Sequence, residues 1–223
     1  MAQVPRVTPR EIFITGGTGY IGRRLIPILL ERGHRVSALV RSASKAAPPA
    51  GCRIVEGNAL EMASFAGKVA PADTFVQLVG VPHPSPSKAQ AFRDVDLVSA
   101  RASIAAAAEA GIRHFIYLSV AQPAPIMKAY LAVRAEGEAL LRSHQLNATI
   151  LRPWYVLGPG HRWPAALLPV YWILGRVPAT RESAGRLGLV TLRQMLAALA
   201  GAVENPPTGI RILNVPDIRS ARF

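Results

Sequence analysis

A single cysteine, Cys52, in 223 residues excludes an internal disulfide framework and any cysteine-based zinc cluster, and it suits a reducing compartment. Nothing in MAQVPRVTPR forms an apolar stretch ahead of the first strand, so no secretory signal is read and a cytoplasmic location is expected. Long hydrophobic runs are missing too. Residues 163–175 make an apolar, proline-interrupted segment, well short of the roughly 20 residues that span a bilayer. Peripheral contact with a membrane surface stays open, because Arg162 and Arg176 flank that segment and suit an interfacial placement.

Acidic residues are scarce as well, 13 against 26 basic ones, for a net charge of +13. Such a balance invites a nucleic-acid reading. The arrangement opposes it. Lysines number only four, basic residues never run beyond the pair Arg23-Arg24, and no aromatic platform is interleaved with them. A broadly positive field that draws in small anions is the better reading, and no nucleic-acid partner is expected. His83, His114, His144 and His161 share no metal-ligand spacing and read as loop or surface histidines, with His161 a candidate for the substrate side. Half the residues are hydrophobic and 17% are charged, which points to a packed globule and not to a disordered chain.

What is present is an alternation of strands and helices. Glu11–Thr15 (EIFIT) is β-rich, glycines follow at once, and Ile21, Leu25, Ile28 and Leu29 then share one helix face. Gly33 closes that helix, with Pro27 inside it, and Arg35–Val40 reads as a second strand. Arg53–Glu56, 74–79, 114–119 and Ala148–Leu151 read as four more strands. A weak helix is expected over 59–67, and longer ones over 91–110, 126–145 and 191–204. Six alternating strands predict an α/β, Rossmann-type doubly wound parallel sheet forming a single domain over 1–223. A small C-terminal cap or apolar segment is expected over 154–190.

Gly16, Gly19 and Gly22 form G-x-x-G-x-x-G between the first strand and the first helix. Glycine there permits a tight turn and close approach of backbone to a pyrophosphate, while the helix N-terminus supplies donors and positive dipole. Thr18, Tyr20 and Ile21 belong to the same turn. An acidic residue at the end of the second strand would hold the ribose 2′-hydroxyl of NAD. Here Arg41 and Ser42 stand there instead, and a guanidinium matches a 2′-phosphate in charge and geometry, so NADP(H) is expected over NAD(H).

TGGTGYIG, the VRS after the second strand, the VEGN turn, FIYLS, the Tyr130–Arg134 pair and LRPWYVLGPG, in that order, resemble the atypical and extended short-chain dehydrogenase/reductase superfamily of NAD(P)H-binding and epimerase/dehydratase-like proteins. The resemblance covers nearly the whole chain. It implies a nucleotide pocket with Asn58 near the adenine and Leu78, Val79 and Gly80 beside the adenine-side ribose. It also implies a catalytic Tyr-x-x-x-Lys pair helped by a Ser or Thr. This chain has Tyr130 and Arg134 at that spacing, which puts both on one helix face, with Tyr130 as acid or base on a carbonyl. Arginine does not reproduce an ammonium's compact contacts with ribose hydroxyls. Ser119 matches the first of the family's paired serines, and Val120 stands where the catalytic hydroxyl usually lies. Only eleven positions separate Ser119 from Tyr130, too few for the loop of a standard nucleotide-sugar epimerase.

These readings give an NADP(H)-dependent reductase or dehydrogenase acting on a small carbonyl compound, placed between the strand ends and a cap holding Trp154, Trp163 and Trp172. The alternative is an NAD(P)H-binding sensor, assembly factor or membrane-peripheral protein without turnover.

Overall fold

The computed structural model of the chain describes residues 8–41, 47–160 and 185–223. Seven parallel strands form one sheet: β1 (Glu11–Thr15), β2 (Arg35–Val40), β3 (Arg53–Glu56), β4 (Thr74–Gln77), β5 (His114–Leu118), β6 (Ala148–Leu151) and β9 (Ile210–Leu213). Their order is β3-β2-β1-β4-β5-β6-β9. The main helices are α1 (Gly22–Glu31), α3 (Val98–Glu109), α4 (Lys128–Ser143) and α5 (Leu192–Glu204), with short α2 (Ala89–Ala91) and α6 (Val215–Ser220). This is the expected doubly wound α/β architecture.

Alternation along β1 sends its side chains to both faces. Ile12 and Ile14 join the core under α1 and α5, with Leu25, Leu29, Met195 and Leu199. Phe13 joins the core on the other face, with Phe75, Phe115 and the buried alanines of α3. Phe13, Phe75 and Phe115 hold the same register position on neighbouring strands, and their rings pack at centroid separations of 5.2 and 5.1 Å. Alanines at 100, 106 and 107, all fully buried, let α3 lie close over that row. The helix itself carries little side-chain bulk into the layer.

Three details depart from the sequence reading. Residues 59–67 hold two single 3₁₀ turns, Met62–Ser64 and Ala66–Lys68, in place of a helix. Strand β9 completes the sheet beside β6, and a separate two-stranded parallel pair joins β7 (Tyr155–Leu157) to β8 (Leu189–Thr191). His114 is no loop or surface histidine: it is 1% exposed on β5, its Nε2 lies 3.0 Å from Thr149 Oγ1, and burial, with Arg211 and Arg10 nearby, pushes its pKa down to about 4. The expectations placed on His161, Trp163 and Trp172 lie outside the described residues.

A π-helical turn, Phe92–Leu97, precedes α3. Its extra residue per turn shifts the facing of the chain, and Asp96 ends fully buried. The chain crosses outward from β1 to β2 and returns to β4 on the other side, so the switch point of the sheet lies between β1 and β4. That is where open α/β sheets bind ligands. Among the described residues, no helix is long and apolar enough to cross a membrane.

Candidate active site

Strand β1 runs directly into the glycine turn. Gly16 takes a positive φ of 78°, and its carbonyl accepts the Gly19 N–H at 3.0 Å. A side chain at Gly16 would meet the Leu78 carbonyl carbon at 2.9 Å, and one at Gly22 would lie 2.3 Å from the Gly16 oxygen. Backbone on backbone packing therefore requires glycine at both places. Helix α1 starts with no side-chain cap and no acidic residue in its first turn. Its positive end is left for an anion, and these residues fit a dinucleotide pyrophosphate. Arg24 holds the turn from behind: its Nη1 donates to the Tyr20 carbonyl at 2.7 Å and its guanidinium stacks 4.4 Å from the Tyr20 ring centroid.

A cavity of about 500 Å³ opens beside this turn. The structure brings Gly16, Gly19, Tyr20, Ile21, Gly22, Leu78, Gly80, Ser119, Tyr130 and Arg134 onto its walls, joined by His83, Val120 and Trp154. Thr18 and Val79 lie in the flanking backbone and do not line it. Arg41 is exposed just beyond β2, and Ser42 lies outside the described residues. Asn58 follows β3, where its Nδ2 donates to Glu61 at 2.8 Å and its Oδ1 accepts the Leu60 N–H at 3.1 Å. Its side chain thus shapes its own turn.

Arg134 is 4% exposed. Its Nη2 donates to Asp96 Oδ1 at 2.5 Å and its Nη1 to the Leu118 carbonyl at 2.8 Å. Asp96 Oδ2 accepts the Val81 N–H at 2.9 Å. One carboxylate thus holds both the arginine of α4 and the backbone that follows β4. Burial opposes charge on Arg134, but Tyr130, Tyr117 and Asp96 outweigh it and raise its pKa, so the guanidinium stays protonated. Burial pushes the Asp96 carboxyl up, with Arg134 pulling against it. The Tyr130 ring packs 4.9 Å from Phe92, and the Arg134 guanidinium carbon lies 5.2 Å from its centroid. A fixed cation therefore sits over the face of the one phenol that the cavity shares with α4.

Ser119 donates its hydroxyl to Glu138 Oε1 at 2.7 Å. Glu138, 1% exposed, also accepts from Gln122 at 2.9 Å and from Arg152 Nε at 2.9 Å. This hub ties together the chain ends after β5 and β6 and the middle of α4. Sequence reasoning missed Asp96 and Glu138. Asp96 sits in an alanine-rich helical stretch that offers no signal. Glu138 stands one turn after Arg134 on the same helix but pairs with Arg152 from beyond β6, a partner that local spacing does not reveal.

A family model described as NAD(P)H-binding matches residues 16–161. The chain is 26% identical over 213 residues to a ceramide reductase of Caulobacter vibrioides, a match covering 93% of this chain and 65% of that protein. It is 28% identical over 145 residues to the photosystem II assembly factor Ycf39 of Synechocystis, covering 64% of this chain and 44% of that protein. The chain thus spans less than two thirds of either relative. Among solved structures, the NAD+ complex of the Bordetella bronchiseptica enzyme WbmH superposes with a TM-score of 0.68 at 20% identity, covering 92% of this chain and 75% of that one; that likeness concerns the fold. With its glycine turn at the switch point and about two thirds of its length matched by the model, the chain belongs to the family described as NAD(P)H-binding.

Proposed function

We propose that the chain is an NADP(H)-dependent reductase that reduces a small carbonyl compound, with Tyr130 delivering the proton. The observation that carries this reading is the placement of Tyr130 on the wall of the cavity that the glycine turn also lines, with the Arg134 cation over its ring. A nicotinamide cofactor would supply hydride. The chain's own part is to hold the phosphates at the start of α1, to keep a cation beside the phenol, and to present its proton to a carbonyl oxygen. Arg41, exposed after β2 with no acidic residue at that end of the strand, supports the preference for a 2′-phosphate.

Titration of NADPH and NADH against the protein, followed by nicotinamide fluorescence, tests the cofactor. NADPH is expected to bind at least tenfold tighter, with Arg41→Glu erasing the difference. Equal affinities, unchanged in the variant, refute the preference. Turnover of a carbonyl panel that survives Tyr130→Phe refutes the role of Tyr130.

One observation favours a second reading, a nucleotide-binding sensor or assembly factor without turnover. Arg134 is engaged by Asp96 and Leu118 and does not present a compact ammonium to a ribose, and Ser119 gives its proton to Glu138. A cytoplasmic protein with peripheral membrane contact belongs to that reading, and flotation with lipid vesicles tests it.

A further inference from the structure

The substrate side of the cavity is built from the segments that follow β4, β5 and β6. Val81, Pro84, Val120, Trp154 and Val156 face it together with the ring of Tyr130. Trp154 and Tyr155 meet edge to face at 5.5 Å, a rigid aromatic corner just past β6. Among the described residues that line the cavity there is no Asp, Glu, Asn, Gln or Lys.

The polar groups that do reach this wall are largely engaged within the protein. Ser119 is 3% exposed and donates to Glu138. Arg134 is bound to Asp96 and to the Leu118 carbonyl. Tyr20, His83 and Tyr155 line the cavity as well, and the Tyr130 hydroxyl is the group that faces a ligand beside these apolar walls. The His83 backbone has a φ of 51°, and Lys88 Nζ ties the loop down by donating to the carbonyls of Pro82 and His83 at 2.7 and 3.0 Å.

Among the described residues, a ligand with many hydroxyls finds few partners on this wall, and each hydroxyl buried without one weakens binding about tenfold or more. A flat apolar body gains from the same walls, because a site of this kind recognises shape and needs only one or two placed polar groups. We infer that the substrate is an apolar aryl or ring-conjugated ketone, with a single carbonyl directed at Tyr130 and its rings against Trp154, and that sugar nucleotides are excluded. This rests on the reductase reading above.

The test uses the full chain with two probes, 2-acetonaphthone and UDP-glucose. Binding is measured by ligand-observed NMR, once on the cofactor-free protein and once with NADPH added, so that failure of the cofactor site and failure of the substrate site are seen separately. The ketone is expected to bind in both and UDP-glucose in neither. Trp154→Ala should weaken the ketone about tenfold or more with NADPH affinity unchanged, and Trp154→Phe should restore most of it. UDP-glucose binding as tightly as the ketone, or a ketone affinity indifferent to both variants, overturns the inference. Absence of NADPH binding alongside retained ketone binding overturns the reductase reading and leaves the cavity assignment standing.

Discussion

Replacing Asp96 with asparagine removes the carboxylate that holds Arg134 while keeping the side chain's size. The guanidinium is 4% exposed and its partner fully buried, so solvent offers little relief. Removing one partner of a buried pair costs about 3–5 kcal/mol. Part of that is recovered, because Nη1 keeps the Leu118 carbonyl and the Tyr130 and Tyr117 rings lie 5.2 and 5.8 Å from the cation, contacts worth roughly 0.5–2 kcal/mol. A net loss of about 2–4 kcal/mol follows, or roughly 5–15 °C in Tm for a chain of this size. Urea and thermal denaturation of Asp96→Asn, Arg134→Met and the double variant measure it. The double variant should be more stable than the sum of the single losses predicts, by about 1–3 kcal/mol. Additive losses, each under about 1 kcal/mol, would refute the idea that this pair fixes the wall of the cleft.

Two further outcomes are expected. Gly22→Ala forces a Cβ to within 2.3 Å of the Gly16 oxygen; it should open the turn and lower NADPH affinity at least a hundredfold by fluorescence titration, and affinity within threefold of wild type contradicts the packing described. For His114, the unfolded chain takes up a proton as pH falls through about 6.5, whereas the folded chain resists until about 4. Its contribution to stability is therefore complete above pH 6.5 and is lost as pH falls from 6.5 towards 4, by about 3 kcal/mol in all. Urea midpoints at pH 7.5, 5.5 and 4.5 should fall less steeply in His114→Gln than in wild type, although His34, whose pKa burial also lowers, adds a slope of the same sign to both. Parallel slopes would contradict the assignment.

The elements of the nucleotide-binding half were legible because local signals agree there. A β-rich run, three glycines at fixed spacing and an amphipathic helix all occur within twenty residues of Glu11, and they fold as β1, the turn and α1. The start of α5 was equally open to reading, since Thr191 and Gln194 close a capping box. Strand β9 was not: its four residues are all half-buried, and it earns its place by pairing with β6, some sixty positions away. Asp96 and Glu138 look like solvent-facing charges on helices. Only the π-helical turn and the approach of Arg152 bring them inside, and neither is a property of local sequence. His114 was misjudged for the same reason, because the Thr149 and Arg211 that surround it come from other strands.

The shared carboxylate of Asp96 also bears on how the cleft moves. The Val81 amide and the α4 helix that carries Tyr130 hang from the two oxygens of one buried group, so the backbone wall after β4 and the helix with the phenol open together or not at all. The Val81 amide proton is thereby a built-in gauge of that opening: its hydrogen-exchange rate reads the breathing of the cleft directly.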